Sequence, residues 1–78
     1  MYEMTEYFRR RVLRDRSYIT LQMCIDVIER PLRRDVQPDG RIRYWAVVAS
    51  LGNRVLRVVT PEDGTTIHNA FPDRRFRL

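Results

Sequence analysis

The N-terminal third of the chain has apolar residues at helical spacing. Met4, Tyr7, Phe8 and Val12 recur at intervals of three and four, which predicts the buried face of a first helix. Acidic residues come early in this segment and arginines come late, an order that suits the helix dipole. The pattern therefore predicts a helix whose exposed side is strongly charged.

A second helix is predicted from Thr20, a residue type that caps helix N-termini well. Cys24, Val27 and Ile28 form its apolar stripe, so the thiol is interpreted as a small buried hydrophobe. Pro31 should end the helix at or just before the preceding residue, because proline disfavours helical geometry there.

The remainder of the chain has the pattern of β-strands separated by turns. Turn residues at 38–40, 51–53 and 61–64 divide four runs rich in β-branched and aromatic residues, at 32–37, 41–49, 54–60 and 65–71. Short connections between successive strands favour an antiparallel meander. The expected fold class is α+β, with two N-terminal helices packed on a four-stranded antiparallel meander in one domain, residues 1–78.

The last predicted hairpin makes a specific prediction about side-chain neighbours. A four-residue loop at 61–64 would pair Arg57 with His68 across the two strands. Strand alternation would then place both on the face opposite the core. The same alternation assigns four residues to the core face: Leu56, Val58, Ile67 and Phe71.

Charge narrows the class of partner. All fifteen basic residues are arginines, and with ten acidic residues the net charge is +5. A guanidinium binds phosphate or carboxylate through two parallel hydrogen bonds, so phosphate-rich or acidic partners fit this composition. Biased codon usage, which replaces lysine by arginine throughout a proteome, is an alternative explanation of the missing lysine.

Several chemistries are excluded by residue counts. Without lysine there is no Schiff-base nucleophile, and one cysteine allows neither an intrachain disulfide nor a thiolate-rich metal site. One histidine cannot form a zincin-type pair, and three glycines make no phosphate-binding loop. We therefore expect no metal and no cofactor.

The remaining candidates for chemistry lie in the strands. His68 is the only side chain with an ordinary pKa near neutrality, and a neighbouring Arg57 could hold a phosphate beside it. The alternative is a surface histidine that happens to face an arginine. Tyr44 and Trp45 point to opposite faces: a two-residue turn at Gly52 would put Tyr44 on the His68 side, and a three-residue loop would put Trp45 there.

Other arginines around the sheet are candidates for phosphate or RNA contacts. They comprise Arg41, Arg43, Arg54, Arg74 and Arg75. The segment 73–77 that carries the last two could clamp a phosphate, dock on a partner through Phe76, or simply be solvated.

The order helix, helix and meander, with the segments "RRRVLRDRSYITLQMCIDVIERP", "DGRIRYWAVV" and "TTIHNAFPDRRF", resembles a small prokaryotic domain family. That family is similar to the RelE, ParE and BrnT toxins of toxin–antitoxin pairs. The resemblance implies a metal-independent endoribonuclease acting on mRNA, in which a ribose 2′-OH attacks the adjacent phosphate. It also implies that Arg57 and Arg43 stabilise the phosphate while His68 or Tyr44 moves protons.

The functional expectation is therefore the toxin of a type II toxin–antitoxin pair. Its partners would be RNA or the ribosome, a cognate antitoxin and a second copy in a homodimer, and with no membrane segment its expected location is the cytoplasm. The alternative is a non-catalytic domain that binds nucleic acid or protein. In that case binding would weaken steeply with salt and no cleavage product would form.

Overall fold

The computed structural model describes residues 1–77 and has an α+β fold with two helices and a four-stranded antiparallel sheet. These features of the predicted fold class are confirmed. Within residues 1–77, no helix has the length and apolar character needed to cross a bilayer.

The first helix, α1, spans residues 6–15 and begins after Met4, which the apolar spacing placed inside the helix. Glu3–Met4 form a short strand, β1, and the Thr5 hydroxyl accepts the Phe8 N–H at 3.1 Å to cap the helix that follows. Phe8–Val12 are π-helical and continue into one α-helical turn, Leu13–Asp15. Phe8 and Val12 are buried as predicted, but Tyr7 is 46% exposed and does not belong to the buried stripe.

The second helix, α2, spans Leu21–Glu29 and follows the prediction closely. The Thr20 hydroxyl accepts the Met23 N–H, and the helix ends just before Arg30 and Pro31. Cys24 is fully buried, and this burial raises the pKa of its thiol to about 12, so the thiolate that a nucleophile needs does not form at neutral pH.

The main sheet has the spatial order β2 (Arg33–Val36), β3 (Ile42–Val48), β4 (Arg54–Thr60) and β6 (Asn69–Pro72). A separate parallel pair joins β1 to β5 (Thr66–Ile67). Side chains on the inner face of the main sheet pack with those of both helices into one core. Its large members are Phe8, Ile19, Ile42, Tyr44, Leu56 and Ile67, and valines 12, 27 and 58 pack among them.

The predicted register of the last hairpin is wrong. Arg57 faces Phe71, not His68, and Phe71 therefore lies on the outer face and not in the core. The predicted fourth strand is split, because Thr66–Ile67 pair with β1 at the far end of the chain. Ile67 reaches the core through that pairing, and the connection from β4 to β6 is longer than a four-residue loop.

The connection between β3 and β4 decides which aromatic residue is buried. Val48 pairs with Arg54, so the loop has five residues, 49–53, with a 3₁₀ turn at Ala49–Leu51. Asn53 and Gly52 close it with positive φ angles of 61° and 69°. Five and three are both odd, so a five-residue loop gives the strands the same facing as the three-residue alternative. Tyr44 therefore lies in the core, and Trp45 lies on the outer face with Arg57.

Candidate functional site

The outer face of the sheet is built from two rows of cross-strand neighbours. One row is Arg33, Trp45, Arg57 and Phe71, and the next is Asp35, Arg43, Val59 and Asn69. Guanidinium groups and aromatic rings alternate along the first row, where Arg57 lies 4.7 Å from the Phe71 ring centre and 5.6 Å from that of Trp45. These positions follow directly from strand alternation and the observed register.

A concavity of about 350 Å³ opens where α1 meets this outer face, and we call it the His68 concavity. Three arginines and one aspartate, Asp39, are among the residues that line it, so its lining has an excess of positive charge. The lining residues used below are Tyr7, Arg41, Arg43, Arg57 and His68. Four sequence-predicted site residues therefore converge here, although Arg57 and His68 are not paired across strands.

The imidazole of His68 is held on two sides. Its Nδ1 lies 3.2 Å from the Thr5 hydroxyl, and the Tyr7 ring packs on it with 5.2 Å between ring centres. The β1–β5 pairing places Thr5 there, because the Thr5 N–H donates to the Ile67 carbonyl at 3.0 Å. A hydroxyl both donates and accepts, so this contact suits either neutral tautomer of the ring.

The environment of His68 favours its neutral form. Burial lowers the pKa of His68, and the positive charge of Arg41 lowers it further. Arg41 itself is exposed, and its Nε is 3.9 Å from Asp39 Oδ2, a loose contact that leaves the guanidinium available to a ligand. A neutral imidazole beside an accessible guanidinium can accept a proton next to a bound phosphate.

Arg57 is engaged by a partner that strand spacing does not reveal. Its Nη2 and Nε donate to Asp73 Oδ2 at 3.0 and 3.2 Å, and the same oxygen accepts the Trp45 Nε1–H at 2.8 Å. The Asp73 side chain is only 8% exposed and that of Arg57 is 24% exposed. Arg57 thus contributes mainly to the architecture of the face, and less of its charge is available to a phosphate.

Asp73 remains ionised in this position. Burial alone raises the pKa of Asp73, but hydrogen bonds from Trp45, the Arg75 backbone N–H and Arg57 outweigh it and hold the pKa below its usual value. The carboxylate accepts four hydrogen bonds, and these join the segment after β6 to β3 and β4.

The other predicted site residues lie elsewhere. Tyr44 is 3% exposed in the core, so the structure does not place it beside His68. Arg54 and Arg74 line a separate groove of about 260 Å³, and Arg75 lines a third concavity around Trp45. Arg43 borders both the His68 and the Trp45 concavities, and its buried Nε has no hydrogen-bond partner.

Four residues of the site escaped sequence reasoning: Thr5, Tyr7, Asp73 and Phe76. Thr5 and Tyr7 reach His68 only through the β1–β5 pairing, which joins the two ends of the chain. The sequence predicts a ligand-binding or solvated segment at Asp73 and Phe76, whereas both residues contact Trp45 in the structure. One signal is present in the sequence: Asp73 follows β6 directly, and the aromatic Phe76 comes three residues later.

No protein-family model, no curated protein and no solved structure matches the chain. Among residues 1–77, moreover, no group of three or more His, Cys, Asp or Glu side chains is arranged to hold a metal ion.

Proposed function

We propose that this protein is a RelE-like toxin domain that cleaves single-stranded RNA without a metal ion. The observation that supports this proposal is the convergence of His68 with Arg41, Arg43 and Tyr7 in one electropositive concavity. A general base, phosphate-binding cations and an aromatic surface are the groups that such a reaction uses.

In the proposed reaction, the ribose 2′-oxygen attacks the adjacent phosphorus. The bond from the 2′-oxygen to phosphorus forms, the bond from phosphorus to the 5′-oxygen breaks, and a 2′,3′-cyclic phosphate results. His68 Nε2 takes the proton of the 2′-OH, and the departing 5′-oxygen takes a proton from water, which the open concavity admits. Arg41 and Arg43 neutralise the charge that develops on the phosphate.

The Thr5 hydroxyl is the positioning group in this scheme. When the neutral imidazole carries its proton on Nδ1, the Thr5 hydroxyl accepts a hydrogen bond from Nδ1–H, and Nε2 is left free to act as the base. The same hydroxyl caps α1, so the orientation of the base is tied to the start of the helix. Tyr7 restrains the ring from its other side.

The test is cleavage of a synthetic single-stranded RNA, alone and on ribosomes, with a chelator present. The wild-type protein should yield a 2′,3′-cyclic phosphate. His68→Gln should lower the rate by about a hundredfold or more, as loss of a general base does.

Arg11→Gln is the matched control for charge, because it removes one guanidinium from the exposed side of α1, outside the lining of the His68 concavity. It should cleave RNA at a rate close to that of the wild type. Equal rates for His68→Gln and wild type, or no product from the folded wild-type protein under any of these conditions, would reject the proposal.

A toxin role adds expectations beyond the chemistry. Induction of the wild-type gene should arrest growth, and an acidic antitoxin partner, together with a cytoplasmic location, belongs to this proposal. The exposed positive charge also suits association with the ribosome.

The second candidate is a nucleic-acid-binding domain without catalysis, and the outer face supports it. Trp45 and Phe71 lie among Arg33, Arg43 and Arg57, a mixture that suits bases and phosphates of a single strand. Binding that weakens steeply with salt, without any product, would favour this candidate.

A further inference from the structure

Trp45 lies at the centre of the outer face and is covered by the end of the chain. Trp45 is 5% exposed, and the Phe76 ring stacks on its indole with 5.5 Å between ring centres and 30° between planes. The guanidinium carbons of Arg33, Arg43 and Arg57 lie 5.7, 5.3 and 5.6 Å from the centre of the Trp45 ring.

We propose that Trp45 is a stacking site for one base of a single-stranded nucleic acid, and that Phe76 occupies this site until the nucleic acid displaces it. The inference rests on the proposed nucleic-acid function and adds a base-binding subsite to it. The concavity beside Trp45 is distinct from the His68 concavity, although Arg43 and Arg57 line both.

The surroundings of the ring pair suit a nucleotide. A concavity of about 330 Å³ opens beside it, within the size range of small-ligand sites. Asp35 and Asp73 are the acidic residues of its lining, and arginines outnumber them. The arginines are Arg33, Arg43, Arg57, Arg75 and Arg77. A base on the indole would thus bring its phosphates close to several guanidinium groups.

Trp45 is held by stronger contacts than Phe76, the residue that covers it. Asp73 fixes the indole and Arg57 through short hydrogen bonds, whereas the Phe76 backbone N–H is 3.5 Å from the Asp73 carbonyl. The flanking Arg75 and Arg77 are exposed. Phe76 can therefore leave the indole while Asp73 keeps Trp45 in place.

Arg43 adds an independent observation. Its buried Nε has no acceptor in the covered arrangement, although buried donors are normally hydrogen-bonded. Arg43 and Phe76 line the same concavity, so a phosphate or base oxygen bound there could serve as the missing acceptor.

Fluorescence titration tests the proposal, because Trp45 is the only tryptophan of the chain. The probe is a short oligodeoxythymidine, which lacks the 2′-OH and therefore measures binding apart from cleavage. It should quench Trp45, and Phe76→Ala should bind it about three- to tenfold more tightly, because removal of a competing aromatic stack is worth up to about tenfold in affinity.

Tyr18→Ala is the matched control, since it removes an exposed aromatic ring that does not line the Trp45 concavity. It should leave the affinity unchanged. If Phe76→Ala does not fold, as judged by circular dichroism, Phe76→Leu decides the same comparison because it keeps apolar cover without an aromatic stack.

Two results would overturn the inference: no quenching of Trp45 at saturation, or equal or weaker binding by the folded Phe76 variant. The second would make Phe76 part of the binding surface or of the core. If the protein cleaves RNA but shows neither quenching of Trp45 nor tighter binding by the Phe76 variant, the His68 proposal stands and this subsite is rejected. If it shows quenching and tighter binding but no cleavage, the subsite stands and the His68 proposal is rejected.

Discussion

Replacement of Asp73 by alanine tests how the outer face is held together. The Oδ2 atom accepts three side-chain hydrogen bonds, one from Trp45 and two from Arg57, and Oδ1 accepts the Arg75 backbone N–H. Asp73→Ala removes all four and leaves the charge of Arg57 and the indole N–H without these acceptors in a largely buried place.

The expected loss is about 2–3 kcal/mol in the free energy of unfolding. Loss of one partner of a fully buried ion pair costs about 3–5 kcal/mol. Arg57 is 24% exposed, so water compensates part of this loss. For a 78-residue domain with a total stability of about 4–12 kcal/mol, the melting temperature should fall by about 10–20 °C.

The pH dependence of this difference provides a second measurement. Because the folded state lowers the pKa of Asp73, its stabilisation is complete above the ordinary carboxylate pKa and is lost as the pH falls through the folded value. Urea unfolding of wild type and Asp73→Ala should therefore converge at acid pH. A loss below about 0.5 kcal/mol at neutral pH would refute the account of Asp73, because changes of that size are typical of surface positions without such contacts.

Two further predictions concern His68. Arg41→Gln removes a charge that lowers the pKa of His68, so the acid limb of the rate–pH profile should move to higher pH while burial still keeps it below the ordinary 6.5; an unmoved limb would contradict the electrostatic coupling. Thr5→Val removes the hydroxyl that contacts Nδ1 and should lower the cleavage rate about three- to tenfold. Thr5→Ser should restore that rate, whereas equal loss in both variants would show that Thr5 does not act through its hydroxyl.

Local signals in the sequence predicted α2 and the two central strands. Thr20 and Pro31 mark the limits of α2, and alternation identifies the strands that contain Trp45 and Arg57. Each of these elements depends on neighbours in the chain, since capping, proline sterics and hairpin formation act over a few residues.

The errors arose where pairing joins distant parts of the chain. The β1–β5 pair connects residues near position 4 with residues near position 67, and no local pattern indicates such a parallel contact. It divides the last strand, moves Phe71 to the outer face and brings Thr5 to His68. Once one residue of a strand is shifted, alternation moves every following side chain to the other face.

In the candidate site too, the residue types could be predicted from the sequence, but the contacts between distant residues could not. Arg41, Arg43, Arg57 and His68 were recognised by residue type, and they do meet in one concavity. The role of Asp73 was not predictable, because its partners Trp45 and Arg57 lie 28 and 16 residues away. The distribution of charge on this face is therefore a property of the tertiary structure.

The most direct test of the account is single-turnover RNA cleavage by wild type and His68→Gln, with a chelator present and with a substrate carrying one 2′-deoxy substitution as a control. We predict a 2′,3′-cyclic phosphate from the wild type, a rate about a hundredfold lower for His68→Gln, and no cleavage at the substituted position. Cleavage at the 2′-deoxy position, or an undiminished rate in His68→Gln, would contradict the assignment of His68 as the base.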